Sequence, residues 1–193
     1  MKKQIRNVFM IAALVASFGF YSCGENKNKN EETTTVMDEE MNSEEKTDST
    51  DIINVEEVIN VQFKETTTQS VFKHYIGIKS ALVASNNAEA QQHATMLLES
   101  LKEIEAEQTL LNATMQLVEA TDINKQREAF SKITKEMEGV ITGAISSGEI
   151  YKQFCPMAFE GKGDYWYSTS SEIRNPYFGD KMLKCGRVEE VIN

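Results

Sequence analysis

The sequence predicts a mainly α protein: an antiparallel four-helix bundle with a small C-terminal Cys/Met-containing β/loop extension. Apolar residues recur at steps of three and four through four successive segments between residues 66 and 148, which is the period of an amphipathic helix. Short polar breaks join these segments, and short connections favour antiparallel neighbours. From Glu149 onward the period changes, and aromatic residues, glycines, both prolines and two cysteines are concentrated there.

Residues 1–22 have the features of a lipoprotein signal peptide. Basic residues precede the apolar run VFMIAALVASFGF, which is shorter than the ~20 residues that span a bilayer. The run ends at Ser22-Cys23 and resembles a bacterial lipoprotein processing site, which predicts lipidation of Cys23. Ordinary cleavage near Gly19 or Ser22, giving a soluble secreted protein, is the alternative. Either route exports the chain, and a lipid would anchor it in the cell envelope, in the periplasm or at the outer membrane.

Residues 23–60 are predicted to form an acidic, disordered tether. The stretch lacks aromatic residues and has a strong acidic excess, so it cannot bury enough apolar surface to offset the entropy of ordering. The end of this stretch, up to Lys64, is expected to be a short strand or an irregular segment. The net charge of −10 argues against nucleic acid as a partner and against attraction to anionic lipid surfaces.

The domain predicted for residues 61–193 begins with two helices. Thr66 to Thr68 offer N-caps for the first, and Asn86-Asn87 form the break before the second. Each helix has one apolar stripe at helical spacing. The first stripe is Val71, Tyr75, Ile78 and Leu82, and the second is Ala90, Ala94, Leu97, Leu101 and Ile104.

Two further helices complete the predicted bundle. In the third, Leu111, Met115 and Val118 are expected to face inward. Thr121-Asp122 cap the fourth, and Gly148 is the expected residue after its end. The apolar face predicted for the fourth helix consists of Phe130, Ile133, Met137, Val140, Ala144 and Ile145.

The tail, residues 149–193, is predicted to be built differently. EIYKQFCPM has the composition of a strand, and GKGDYWYSTSS looks like a turn into a second strand. RNPYFGD is predicted to form a turn, because Asn-Pro and Gly are typical of turns. DKMLKCGRVEEVI is expected to be a last helical turn or a short strand.

Four sulfur residues of the tail, Cys155, Met157, Met182 and Cys185, form a candidate metal site. Cys155 and Met157 would share a face if the chain is extended there, and Met182 and Cys185 would share a face if it is helical. Thiolate and thioether ligands together select soft ions, Cu(I) or Ag(I). The alternatives are a Cys155–Cys185 disulfide, which is common in exported proteins, or free thiols with another role.

Other chemistry has little support in the sequence. His74 and His93 are expected at helix surfaces or boundaries, with His74 the better candidate for an extra ligand to the sulfur site. The sequence has no Cys-x-x-Cys pair, no glycine-rich phosphate loop and no Gly-x-Ser-x-Gly elbow. The expectation is therefore that the protein is not an enzyme.

Two motifs of the tail, YKQFCPMAFEGKGDYW and EIRNPYFGDKMLKCGRV, resemble a bacterial domain-of-unknown-function family, and VFKHYIGIKSALVASN resembles its first helix. That family occurs alone in exported lipoproteins and at the C-terminus of copper/silver-type heavy-metal efflux adaptor (membrane fusion) proteins. The resemblance extends over roughly residues 61–191. It implies a helical bundle closed by a Cys-containing tail.

Because the family is found fused to efflux adaptor proteins, the resemblance also implies handling of copper or related metals. It implies that the four sulfur residues of the tail are the metal site and that residues 175–179 form a turn. The expected function is that of an exported lipoprotein that binds a soft metal ion, with an efflux adaptor or another envelope protein as partner. The rival expectation is a disulfide-stapled structural module that docks on an envelope protein.

Overall fold

The computed structural model describes residues 57–193, and this part of the chain is mainly helical with a small strand component. The predicted signal peptide, the lipidation residue Cys23 and most of the predicted tether lie outside the described residues. Within residues 57–193, no helix combines the length and the apolar character that crossing a membrane requires.

In the described part of the chain, four long helices form most of the fold. They are α1 (Thr66–Val83), α2 (Asn87–Glu103), α3 (Gln108–Glu119) and α4 (Ile123–Ile141). Each contacts the next along the chain, and α1 also contacts α4. Asp122 caps α4 as predicted, by accepting from the N–H groups of Asn124 and Lys125, and Asn86, in the predicted break, accepts from the N–H of Glu89. The N-caps predicted at Thr66 to Thr68 are wrong, because these residues lie inside α1, whose N-cap is Glu65 without a side-chain capping bond.

Within residues 57–193, five short strands accompany the helices: β1 (Gln62–Phe63), β2 (Ile145–Ser147), β3 (Ile150–Cys155), β4 (Asp164–Ser168) and β5 (Arg187–Ile192). β1 pairs antiparallel with β2, and β3 is the centre of an antiparallel sheet in the order β4-β3-β5. A four-residue turn, α5 (Ala158–Gly161), joins β3 to β4. A 3-10 turn, η1 (Gly179–Met182), precedes β5.

The apolar stripes predicted for the first two helices are confirmed. The four residues of the α1 stripe are fully buried, and so are four of the five in the α2 stripe. The fifth, Ile104, is half-buried and follows the helix as its C-cap. The tail packs on this core through Tyr75, whose hydroxyl bonds with Thr134 of α4 and accepts from the backbone N–H of Tyr167 in β4.

The face predicted for α3 is wrong. Met115 is 38% exposed, and Leu111 and Val118 are only partly buried. The buried residues are instead Leu110, Ala113, Thr114 and Leu117. The true stripe is therefore displaced by one position from the predicted one.

The predicted end of the fourth helix is also wrong. α4 ends at Ile141, and Gly143, with φ of 72°, is the left-handed residue that follows it. Ala144 and Ile145, predicted for the helix face, lie beyond the helix, and Ile145 begins β2. Gly148, predicted to end the helix, lies between β2 and β3.

Candidate functional site

The two cysteines of the tail lie side by side, with their Sγ atoms 3.0 Å apart. Cys155 is the last residue of β3, and Cys185 lies two residues before β5. The pairing of these strands, with Phe154 opposite Arg187, brings the two thiols together across thirty residues of sequence. We refer to Cys155 and Cys185 as the thiol pair.

The two thiols differ in their access to solvent. Cys155 is fully buried, whereas Cys185 is half-buried. The hydrogen bond with Cys155, together with burial, raises the pKa of the Cys185 thiol above its ordinary value, although the backbone N–H of Met157 acts in the opposite direction. Cys185 is therefore mainly a protonated thiol at neutral pH.

Asn175 holds the loop that carries Cys185. Its side-chain amide donates to the backbone carbonyl of Cys185 at 2.8 Å, and its own backbone N–H donates to the carbonyl of Leu183. Its Oδ1 accepts from the N–H of Tyr177. These bonds explain why an Asn begins the turn, since its side chain replaces a backbone partner.

Trp166 of β4 lies beside the loop that carries Cys185. A Cβ added at Gly186 would meet the Trp166 ring at 3.0 Å, so the ring lies against the residue next to Cys185. The indole also contacts the ring of Tyr177 edge-on, at 5.9 Å between centroids. The residue that follows Cys185 is therefore packed against an aromatic ring.

Of the two predicted methionine ligands, Met157 is placed differently from the expectation. β3 ends at Cys155, and Met157 has helical rather than extended backbone angles, so the two side chains do not share a strand face. Met157 is 52% exposed while Cys155 is buried. Met182 is half-buried, and its carbonyl accepts a hydrogen bond from the N–H of Cys185. This bond is that of a 3-10 turn, in which residues three apart lie on the same side, so Met182 and Cys185 share one side.

His74 lies against His93 of α2, with 6.2 Å between the ring centroids. The Nδ1 atom of each ring is buried and has no hydrogen-bond partner. Burial, followed by the neighbouring His93 and Lys73, lowers the pKa of His74. His74 therefore lies beside a second imidazole. The ring contact that the structure shows for His74 is with His93 and not with the thiol pair.

A buried polar cluster that the sequence did not indicate surrounds Glu57. Its carboxylate accepts from Lys79, from the hydroxyl of Ser168 and from the backbone N–H and hydroxyl of Thr169. Because Glu57 is held in this way, the contacts of the domain extend N-terminal to residue 61. A cavity of about 410 Å³ lies beside the cluster, lined in part by Lys79, Ser170 and Arg174.

This cavity and the thiol pair are separate features, because neither cysteine lines the cavity. Among residues 57–193, no three His, Cys, Asp or Glu side chains are grouped as ligands for one ion. The thiol pair therefore offers two protein thiolates, and any further ligand at that position would be a methionine sulfur, a backbone group or an external molecule.

Comparison with known proteins gave one match. Residues 71–147, from α1 to β2, match the model of a family described as "Protein of unknown function (DUF3347)". No curated protein and no solved structure matched the chain. The match supports the predicted domain of unknown function but ends before β3, so it does not include the thiol pair. The helices of this protein are thus similar to those of an uncharacterised domain family.

Proposed function

We propose that the protein binds a soft metal ion, Cu(I), through the thiol pair, as an exported lipoprotein accessory to metal homeostasis or efflux. The observation that carries the proposal is the 3.0 Å separation of Sγ atoms contributed by the end of β3 and the loop before β5. Thiolates are the ligands that Cu(I) prefers. The domain in this proposal is the four-helix bundle, closed by the Cys/Met tail.

The spacing of the thiol pair is compatible with one ion after a small movement. Two thiolates at about 2.3 Å from a common ion are roughly 4.0 Å apart when a third ligand completes a trigonal set. The sulfurs would therefore have to separate by about 1 Å, judged on the same geometry. Cys185 is half-buried and lies in a loop, so it is the residue that can move, whereas Cys155 is fixed within the sheet.

Binding of an ion to the thiol pair requires loss of the thiol protons. The raised pKa of Cys185 sets the pH dependence of that binding. An ion displaces the thiol protons on binding, so affinity should increase with pH. The backbone N–H of Met157 faces Cys185. The side chain of Met157 is exposed, so its thioether would be the ligand on the solvent side, where an ion would arrive or leave.

Native mass spectrometry of the reduced protein, with Cu(I) buffered by a competing chelator, tests the proposal. With no more than one equivalent of Cu(I) supplied per chain, we expect one tightly bound copper, whose affinity falls sharply in Cys155→Ser and in Cys185→Ser. Cys23→Ser is the matched control, because it removes a cysteine outside the tail and should retain copper. Met157→Leu should weaken binding and Met115→Leu, another exposed methionine, should not. Unchanged copper affinity in both tail cysteine variants would refute the proposal.

A disulfide between the same residues is the second candidate, since the Sγ atoms need to approach by only about 1 Å to form the bond. A bridge that closes thirty residues would stabilise the fold by roughly 3–4 kcal/mol. The protein would then be a stapled module that docks on an envelope protein. A mass lower by two hydrogens that persists in mild reductant, with no copper uptake, would identify this alternative.

A further inference from the structure

The interface between α1 and α2 contains a pair of imidazoles that the thiol pair does not use. The ring centroids of His74 and His93 are 6.2 Å apart. Two imidazoles on one ion, each with a nitrogen about 2.0–2.1 Å away, have centroids roughly 5 to 6.4 Å apart, depending on the angle at the ion. The observed separation lies within this range without any movement of the helices.

One nitrogen of each ring lacks a protein partner. Nδ1 of His74 and Nδ1 of His93 are both buried without a hydrogen bond, whereas buried polar atoms are normally paired. A neutral imidazole has one nitrogen with a free lone pair. Each ring can therefore offer a lone pair to an ion without giving up a protein hydrogen bond at Nδ1.

Gly77 provides the space for this arrangement. A Cβ at position 77 would come within 2.3 Å of Nδ1 of His93, so any larger residue would displace the ring. Gly77 lies inside α1, where glycine costs about 1 kcal/mol relative to alanine. Its backbone is helical, and the close approach of His93 is therefore the structural reason for a glycine here.

Met96 is a candidate for a third ligand by its position in α2. It is half-buried and follows His93 by three residues in α2, which places both on one face of the helix. Imidazole nitrogen suits copper, zinc and nickel, but a thioether shifts the preference toward Cu(I). The ligand set therefore favours copper in its reduced state.

We propose that His74 and His93, with Met96 as the third ligand, form a second Cu(I) site between α1 and α2. The site is independent of the thiol pair, because it uses other elements and other ligand atoms. Gly77 is a positioning residue that makes room for the His93 ring.

Titration of the Cys23→Ser/Cys155→Ser/Cys185→Ser protein with Cu(I), under anaerobic conditions and against a competing chelator, tests the second site. We expect one copper per chain, at least tenfold weaker in His74→Gln and in His93→Gln. Met96→Leu should lose affinity and the control Met115→Leu should not. Gly77→Ala should also lose affinity, although both histidines remain. Absence of copper uptake, or uptake that both histidine variants retain, would overturn the proposal.

Nitrogen-15 NMR of the unsubstituted protein provides a second test that does not depend on the folding of a triple variant. Successive equivalents of Cu(I) should shift a ring nitrogen of both His74 and His93. If both imidazole spectra stay unchanged while copper saturates the protein, the second site is excluded. Failure of the thiol pair to bind copper would leave the result for the histidines intact.

Discussion

Lys79 of α1 and Glu57, at the start of the described chain, form an ion pair whose side chains are only 2% and 9% exposed. The ammonium also donates to the hydroxyl of Ser168, and the carboxylate is bound by Thr169. A charge buried to this extent is tolerated because it is paired and hydrogen-bonded. The segment before α1, helix α1 and the end of β4 are therefore tied together at one point.

Removal of one partner from this pair should be costly. Glu57→Ala leaves the Lys79 ammonium buried without a counter-charge, and we expect a loss of about 3–5 kcal/mol in the free energy of unfolding. The matched control is Glu172→Ala, which removes an exposed ion pair with Lys184 and should cost under about 1 kcal/mol. Urea denaturation measures both, and equal effects would contradict the proposed importance of burial.

The same carboxylate should make stability depend on acid pH. Burial alone would raise the pKa of Glu57, but Lys79 and the hydrogen bonds of Thr169 together bring it below the ordinary value of 4.5. A lowered folded-state pKa gives stability that is present above the unfolded pKa and is lost as pH falls through the folded pKa.

The unfolding free energy of the wild type should therefore decrease below about pH 4.5, and Glu57→Gln should lack this part of the decrease. Parallel urea titrations of the two proteins at a series of pH values measure the difference. Curves that run parallel between neutral and acid pH would exclude Glu57 as the titrating group.

The hydroxyl of Tyr75 should contribute to the attachment of the tail. In Tyr75→Phe, the N–H of Tyr167 and the hydroxyl of Thr134 lose their shared partner inside the core, and we expect destabilisation by about 1–3 kcal/mol. Tyr151→Phe, which removes an exposed hydroxyl bonded to Glu149, should have little effect. Chemical denaturation compares the two, and a neutral Tyr75 variant would show that the hydroxyl is dispensable.

Gly179 should tolerate a side chain poorly because of its neighbours as well as its backbone. Both Gly179 and Gly161 have positive φ angles, so alanine at either costs about 1–2 kcal/mol in backbone strain. At Gly179 the new Cβ would also meet the carbonyl of Val83 at 2.9 Å, whereas at Gly161 nothing lies within 4 Å.

Gly179→Ala should therefore be more destabilising than Gly161→Ala. The expected difference is about 1–3 kcal/mol, which is the usual cost of overpacking. Thermal unfolding followed by circular dichroism compares the pair. Similar melting temperatures would mean that η1 can move away from the end of α1 with little loss of stability.

The sequence predicted most of the helices because their signals are local. Apolar stripes and capping residues such as Asp122 lie within one or two turns of each other. In α3, Leu110 and Leu111 begin two competing stripes, and only the packing of neighbouring helices selects one. In α4, Ala144 and Ile145 continue the helical period by coincidence after the chain has turned at Gly143.

The candidate sites were predictable to different degrees. The pairing of Cys155 with Cys185 followed from their isolation in one small tail. The prediction for Met157 assumed that the chain stays extended after Cys155. It was wrong because Pro156 ends the strand. Glu57 is one acidic residue among many, and its partners lie 22 to 112 positions away. His74 and His93 meet only because two helices fold back on each other, and no local spacing encodes that.

The contact of Trp166 with Gly186 gives the protein an internal optical probe. Trp166 is the only tryptophan of the chain, and its ring lies against the residue that follows Cys185. Its fluorescence emission is therefore sensitive to the surroundings of one half of the tail and free of other indole signals. Oxidation of the thiols, capture of a heavy ion or detachment of β5 would each alter that emission. Events at the thiol pair can thus be followed in real time without a label.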